Sequence, residues 1–291
     1  MFKKKKDQTY QSYWSISWNI FKKNKVAMVC LFIVILLCLI ALFAPLIAPY
    51  DPNKQVLTDR LMKPCGQHWF GTDDLGRDIF SRIIYGCRVS LSVGIISQII
   101  ATVIGYTMGV CAGYYGGKVD SVISFLIQVF SSFPFLLFAM AIMFVLGPGL
   151  INLYLALGLL GWASTARLIR GDVMRLKKME YIDACKVSGG NSFRIIMKHL
   201  LPNCLSTLIV TVTLGIPNAI MSEASLSFLG LGVKAPMASW GSMISFSQPY
   251  IRSATYYSVI PGLAIIITVL AFNMLGDGLR AVSYTHLTLP T

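Results

Sequence analysis

Five long stretches without a charged residue constrain this chain more than any other feature of its sequence. They cover residues 26–50, 89–117, 121–166, 205–222 and 253–276. A helix needs about 20 apolar residues to cross the hydrocarbon core of a bilayer. Four of the stretches can therefore hold one span each, and the longest, which is interrupted by Gly147, Pro148 and Gly149, can hold two. The pattern predicts an all-α membrane protein with six transmembrane helices.

The composition supports membrane residence. Of 291 residues, 55% are hydrophobic and 13% are charged, and the mean hydropathy is +0.67. These values exclude an ordinary soluble domain. The stretch 26–50 exceeds the apolar core of a signal peptide, which is roughly 7–15 residues long, and it has no clear small-residue cleavage site. We expect it to remain as the first transmembrane helix.

Lysine and arginine are distributed unevenly around the predicted spans. Seven of them lie within residues 1–25, and in all 17 of the 25 fall on the side of the N-terminus while eight fall on the other side. The positive-inside rule puts the richer side, with both termini, in the cytoplasm. Residues 51–88 then form an extracytoplasmic loop, and residues 89–280 form a core of five helices. The net charge of +13 thus reflects membrane orientation and attraction to anionic lipid, not nucleic-acid binding.

No metal or redox site is predicted. The seven cysteines include no Cys-x-x-Cys pair, and His68 and His199 have no partners at ligand spacing. Only Cys65 and Cys87 share the predicted outer loop, and a disulfide between them is not favoured.

Two motifs have a structural interpretation. In residues 71–78, GTDDLGRD, three acids and an arginine can exchange charge-assisted hydrogen bonds, which predicts a clip within the outer loop. Gly105, Gly109 and Gly113 are spaced by four along one span. They predict a face on which another helix packs closely, either from this chain or from a second subunit.

The polar segment 180–203, EYIDACKVSGGNSFRIIMKHLLPN, lies between two apolar stretches and is the most informative about function. Its beginning predicts a short helix with a broad apolar face that includes Ile182 and Val187. Gly189 and Gly190 should end this helix, because glycine tolerates the positive φ of a helix C-cap.

A second helix should follow within the same segment. Asn191 can cap it, and Phe193 and Leu200 belong to an apolar face at helical spacing. Pro202 should end or bend it. The sequence therefore predicts a helix, a tight turn and a helix at the membrane surface.

This segment resembles the EAA loop of bacterial ABC-importer permeases, which binds the ATPase subunits. The family pattern has an acid-Ala-Ala triplet, a glycine four residues later and a Leu-Pro pair. It differs here in two places, since an aspartate stands for the usual glutamate and a cysteine for the second alanine. The positions that the resemblance assigns to ATPase coupling are Asp183, Ala184, Cys185, Gly189, Leu201 and Pro202.

Other segments are similar to the second (C-type) permease subunit of dipeptide, oligopeptide and nickel ABC importers. They are FKKNKVAMVCLFIVILLCLIALFAPLIAPYDP, HWFGTDDLGRDIFSRIIYGCRVSL, GYYGGKVDS and EASLSFLGLGVKAPMASWGSMI, in the family's order. The similarity covers residues 18–280. It implies a type I ABC-importer permease fold with cytoplasmic coupling helices, in a multi-pass protein of the bacterial plasma membrane.

The resemblance also implies the partners. They are a second homologous permease subunit, two cytoplasmic ATPase subunits that bind ATP and Mg²⁺, and an extracytoplasmic substrate-binding protein. The chain itself would bind no cofactor and catalyse no covalent reaction. Di- or oligopeptides are the expected cargo, and nickel, a nickel chelate or another solute is the alternative.

A carrier or channel that acts alone is the alternative outside this class. Ion-coupled carriers commonly place ionisable residues within their helices, whereas the stretches above contain none, and we assign their strongest polarity to Gln128 and Asn152. The chain also lacks the phosphate-binding pattern GxxxxGK[ST]. A separate ATPase that docks on 180–203 accounts for both absences.

Residues 223–252 lie between the last two predicted spans. The segment begins with an acid and is rich in glycine and serine, so it could be re-entrant where protein or a water-filled cavity satisfies its backbone. On this interpretation Glu223, Lys234 and Trp240 lie at the outer gate or contact the binding protein, and Trp240 is an amphipathic anchor. The alternative is that the segment only packs the outer vestibule.

Residues 282–291, VSYTHLTLPT, read as an in-frame translation of a transposase sequencing adapter. We treat them as a non-native tail and expect the native sequence to continue differently after about Arg280.

Overall fold

Helices make up the regular structure of this protein. The computed structural model describes residues 13–287, a range that contains no strand and one isolated bridge between Thr72 and Asp78. Residues 1–12 and 288–291, which belong to the predicted basic N-terminus and non-native tail, lie outside the described range. The helices are α1 (Tyr13–Lys23), α2 (Lys25–Leu42), α3 (Ala44–Ile47), α4 (Ile79–Tyr115), α5 (Gly117–Ser132), α6 (Phe135–Leu146), α7 (Leu150–Leu176), α8 (Glu180–Val187), α9 (Ser192–Ile195), α10 (Leu201–Phe228), α11 (Trp240–Ser247) and α12 (Thr255–Leu287).

Four helical segments of the described range are long and apolar enough to cross a membrane. They are α2, α4, the continuous helix Ser192–Phe228 and residues Thr255–Ala281 of α12. α5 and α6 pass the same test together and make a fifth span if they cross as one broken helix. The remaining predicted span, the fourth along the chain, coincides with α7, which is 27 residues long but less apolar. Its second half carries the charged residues Arg167, Arg170, Asp172 and Arg175.

Two helix boundaries differ from the charge-free stretches. α2 ends at Leu42, before the predicted end of the first span at position 50, and Pro45 lies in the first turn of the separate helix α3. Proline cannot donate the backbone hydrogen bond that would continue α2. α4 begins at Ile79, well before position 89, because the Asp78 side chain caps it by accepting from the Ser81 amide at 2.7 Å.

The predicted glycine face packs within this chain, against α7. A Cβ atom on Gly105 would lie 2.8 Å from the Trp162 carbonyl oxygen, and one on Gly109 would lie 2.7 Å from that of Ala166. The third glycine, Gly113, is equally close to α7. The two backbones therefore approach so closely that no larger residue fits at these positions, and this prediction is confirmed.

α5 and α6 meet at an angle of 90°. The bend follows from Pro134, which disfavours a helical conformation in the residue before it. Phe133 is accordingly extended, with φ −91° and ψ 139°. At the start of α5, Asp120 accepts two hydrogen bonds from the Arg170 guanidinium, which ties α5 to α7.

The predicted clip is confirmed, and it joins the loop 51–78 to the start of α4. Arg77 Nε donates to Asp73 Oδ2 at 2.6 Å, and Arg82 Nε lies 3.4 Å from the same oxygen. Arg82 Nη1 also donates to the Pro52 carbonyl at 2.8 Å. All three charged side chains are buried, and the one carboxylate is paired with both guanidinium groups where water cannot reach them.

Candidate functional site

The first helix of the predicted coupling segment is α8, and it ends in a glycine turn as the sequence indicates. Gly189 has φ +78°, and its amide donates to the Lys186 carbonyl at 3.0 Å. The Gly190 amide donates to the Cys185 carbonyl at 2.9 Å. These two bonds form a Schellman motif. A Cβ atom on Gly190 would lie 2.7 Å from the Cys185 oxygen, so both glycines are needed for different reasons.

The second helix does not end at Pro202. Asn191 caps α9 by accepting from the Arg194 amide at 2.8 Å, as predicted. A π-helical turn follows at Ile196–Leu200, and the helix then continues through α10 to Phe228. Pro202 occupies the first turn of α10, directly after the π turn, so the helix continues past a residue that has no amide hydrogen to donate.

Three side chains anchor this segment to the helix bundle. Ile182 of α8, Ile195 of α9 and Leu200 are at most 1% exposed. They pack in one cluster with Ile169 and Val173 of α7 and with neighbouring residues of α4 and α10. The segment is therefore attached to three helices of the bundle rather than hanging from a loop.

The opposite side of the segment is open. Asp183 and Ala184 are exposed, and Asp183 Oδ1 accepts from Lys186 Nζ at 2.7 Å. Val187 is 90% exposed and Phe193 is 72% exposed. We call the four residues Asp183, Ala184, Val187 and Phe193 the docking surface. Val187 lies one helical turn after Asp183, so exposed apolar and charged side chains share one face of α8, which is typical of a protein contact site.

The coupling residues predicted from the sequence differ in their exposure to solvent. Asp183, Ala184, Gly189 and Pro202 are exposed, whereas Cys185 and Leu201 are half-buried. Cys185 Sγ lies 3.6 Å from His199 Nε2, inside the turn.

The apolar faces assigned from the sequence were drawn too broadly. Of the apolar residues in α8, only Ile182 is fully buried, and Val187 points outward. Phe193, assigned to the apolar face of the second helix, is also exposed. Helical spacing alone did not separate buried from exposed positions in such short helices.

Glu223 and Trp240 lie inside the bundle, so neither can touch a partner in this conformation. Glu223 is 0% exposed, and its Oε1 accepts from Ser227 Oγ at 2.6 Å and from Ser239 Oγ at 2.7 Å. Trp240 is 1% exposed and donates from its indole to the Ile83 carbonyl at 3.1 Å, which is not the environment of an interfacial anchor. Among the three predicted outer residues, only Lys234 is exposed.

A cavity of about 450 Å³ lies between α4, α6, α7 and α10. Its lining residues are Ser97, Gln98, Phe135, Leu157, Gly161, Ser164, Gly215, Asn218, Ala219, Met221 and Ser222. Sequence analysis overlooked Gln98 and Asn218, although their amide groups within apolar stretches were a usable signal. Asn152, which it did select, instead donates to the carbonyls of Leu146 and Gly147 at the end of α6.

No cluster of three or more metal-ligating side chains occurs among residues 13–287. Cys65 and Cys87 are both free thiols, so no disulfide joins them.

The family model described as the binding-protein-dependent transport system inner membrane component matches residues 102–287, more than half of the chain. The chain belongs to this family. A second model, the N-terminal transmembrane domain of oligopeptide transport permease C, matches residues 12–64. As an inner membrane component of this kind, the protein is a multi-pass membrane permease subunit.

Curated relatives of this inner membrane component match over most of their length. The dipeptide transport system permease protein DppC of Bacillus subtilis is 44% identical over 92% of this chain and 84% of the relative. The oligopeptide transport system permease protein OppC of the same organism is 40% identical over 92% and 88%. The glutathione transport system permease protein GsiD of Pectobacterium atrosepticum is 40% identical over 94% and 92%.

The fold also matches a solved structure. A chain of the MetNI methionine ABC transporter in an inward-facing conformation aligns with a TM-score of 0.57, at 20% identity, over 70% of this chain and 97% of that chain. At this identity the likeness concerns the fold alone. The predicted type I ABC-importer permease fold is confirmed.

Proposed function

We propose that this chain is the C-type permease subunit of an ATP-driven importer of di- or oligopeptides. The names of the relatives support a peptide cargo, because those with 40–45% identity are named for dipeptide, oligopeptide and glutathione transport. The chain would form a translocation path with a second, homologous permease subunit. An extracytoplasmic binding protein would deliver the cargo, and the termini of this chain would lie in the cytoplasm.

The docking surface is the observation that carries this proposal. Val187 and Phe193 expose apolar area beside Asp183 on a segment that is otherwise polar, and exposed area of this kind favours burial against a protein partner. The proposed partner is an ATPase subunit that binds ATP and Mg²⁺. The permease chain itself would catalyse no covalent reaction.

The attachment of α8 supplies a mechanical link. When the ATPases close on ATP, a force on the docking surface would reach α4, α7 and α10 through the buried side chains of Ile182 and Ile195. Packed cores transmit such displacements because they are dense and have few discrete arrangements. The spans would then rock between inward-open and outward-open states.

The test uses the complete transporter, in which this chain is assembled with a second permease subunit, two ATPases and a binding protein. Asp183→Lys inverts the charge at the docking surface, and Gly189→Pro imposes a φ near −65° on a residue that has φ +78°. Both variants should insert and pair with the second permease subunit. Both should lose co-purification with the ATPases and the stimulation of ATP hydrolysis by loaded binding protein.

Two further variants separate an effect on the coupling segment from a general effect on the protein. Asp51→Lys makes the same charge inversion at an exposed position of the predicted extracytoplasmic loop 51–88 and should leave coupling to the ATPases intact. Gly189→Ala meets no atom within 4 Å and adds only the backbone strain of positive φ, about 1–2 kcal/mol, so its effect should be intermediate. Normal coupling in both Asp183→Lys and Gly189→Pro would remove this segment from the mechanism.

The cargo is tested separately. Proteoliposomes that contain the complete transporter should accumulate a radiolabelled dipeptide only with ATP, Mg²⁺ and binding protein. Uptake of another solute that excess dipeptide does not inhibit would replace the proposed cargo. Uptake by the purified chain alone would instead support a carrier or channel.

A further inference from the structure

The cavity between α4, α6, α7 and α10 has the size and chemistry of a ligand site. Its volume of about 450 Å³ falls within the range of ligand pockets, roughly 300–1,000 Å³. The lining includes five neutral hydrogen-bonding side chains and no charged one. These five are Ser97, Gln98, Ser164, Asn218 and Ser222.

Ser97 lies on the wall of this cavity but contributes no accessible donor. The residue is 2% exposed, and its Oγ is buried without a hydrogen-bond partner among residues 13–287. The other serines of the lining satisfy their hydroxyls within their own helices, since Ser164 donates to Gly161 and Ser222 donates to Asn218. Recognition in this cavity therefore depends on its amide side chains.

Gln98 offers a hydrogen-bond acceptor in this cavity. Its Nε2 donates to Thr102 Oγ1 at 3.2 Å, and its carbonyl Oε1 lies against Gly215. A Cβ atom at position 215 would be 2.0 Å from Oε1. Gly215 thus preserves the space that the Gln98 side chain occupies, and a substitution there would displace the amide group.

We propose that this cavity binds a main-chain amide group of a peptide cargo, with Gln98 Oε1 accepting from a cargo N–H. The proposal rests on the function proposed above and names the contacts by which this subunit handles its cargo. Neutral donors and acceptors match the peptide group, which all peptides share. Because the lining has no charged side chain, it would not distinguish cargo side chains by their charge. The site would therefore accept peptides of different sequence.

The test compares two probes in proteoliposomes that contain the complete transporter. One is trialanine, and the other is its analogue in which one amide N–H is replaced by an ester oxygen. The affinity of the binding protein for each probe is measured separately, and transport is measured at saturating loaded binding protein. Losing one hydrogen bond should reduce import of the ester by about threefold to tenfold in the wild-type transporter.

The variants then assign this preference to the cavity. Gln98→Leu should import trialanine as slowly as the ester and should leave import of the ester unchanged. Gly215→Ala, which displaces the Gln98 amide, should have the same effect. Gln128→Leu makes the same substitution at an exposed position of α5 and should keep the wild-type preference. Stimulation of ATP hydrolysis by loaded binding protein verifies that each variant is assembled.

Each result bears on the proposal. If the wild-type transporter imports neither probe, the proposed peptide function fails and the cavity proposal falls with it. If it imports trialanine but Gln98→Leu and Gly215→Ala keep the full preference over the ester, only the cavity proposal is refuted. Capture of the second permease subunit, and never of cargo, by a photoreactive residue at position 222 would show that a partner side chain fills the cavity.

Discussion

Ile182→Ala tests whether one buried side chain holds α8 against the bundle. The substitution removes three carbon atoms from a side chain that is 0% exposed. At about 0.8 kcal/mol for each buried carbon, the lost transfer free energy is about 2.4 kcal/mol, and a residual cavity raises the cost to about 2.5–4 kcal/mol. Because α8 is only eight residues long, we expect this cost to appear as local detachment of α8 and not as unfolding of the bundle.

Hydrogen exchange of the purified protein in detergent, followed by mass spectrometry, measures this detachment. The loss of 2.5–4 kcal/mol corresponds to an opening equilibrium constant for α8 that is about 60-fold to 700-fold larger, and exchange accelerates by the same factor where reclosing is faster than the exchange reaction. Amides in α4 and α7 should keep their wild-type protection. Val187→Ala is the matched control within the same helix, because Val187 is 90% exposed and its truncation removes almost no contact within the chain.

Unchanged exchange in α8 of Ile182→Ala would refute this reasoning, since the helix would then be held by other contacts. Equal acceleration in α4, α7 and α8 would also contradict it, because the cluster would then stabilise the bundle as a whole.

Two other predictions follow from the packing and from the charge distribution. Gly109→Leu should destabilise the protein by at least about 1–3 kcal/mol, because a Cβ atom would lie 2.7 Å from a carbonyl oxygen of α7. The measurement is the thermal stability of the protein in detergent. Gly171→Leu is the control, because its side chain would enter open space and should not lower the thermal stability. In variants that retain one cysteine, Cys65 should react with a membrane-impermeant maleimide in intact cells and Cys185 only after the cytoplasmic side is opened; the opposite pattern would reverse the predicted topology.

Local chemistry accounts for the features that the sequence predicted well. A positive φ requires glycine at Gly189, an exposed backbone end attracts the side chain of Asn191, and close helix packing requires the glycines of α4. Each of these features depends on a few neighbouring residues or on a regular spacing, so it can be predicted from the sequence alone. The charged clip around Asp73 is similar, since opposite charges within one short motif have few other partners.

The features that were missed depend on residues far apart in the chain. Glu223 is buried because Ser239 from the following segment and Ser90 from α4 surround it, and no pattern near position 223 reports this. The cavity likewise needs four helices to assemble around Gln98. Pro202 was expected to end or bend a helix, and the helix does not end there but continues to Phe228.

The continuous helix from Ser192 to Phe228 has a mechanical consequence. At 1.5 Å per residue it is about 55 Å long, with Phe193 of the docking surface at one end and Glu223 near the other. If it moved as a rigid lever, a tilt of 10° about one end would displace the other by about 10 Å. Pro217 interrupts the hydrogen bonds of this lever two residues from Gly215 on the cavity wall. Since Gly215 lies before Pro217 and Asn218 lies after it, a bend of the helix at Pro217 would change the shape of the cavity wall.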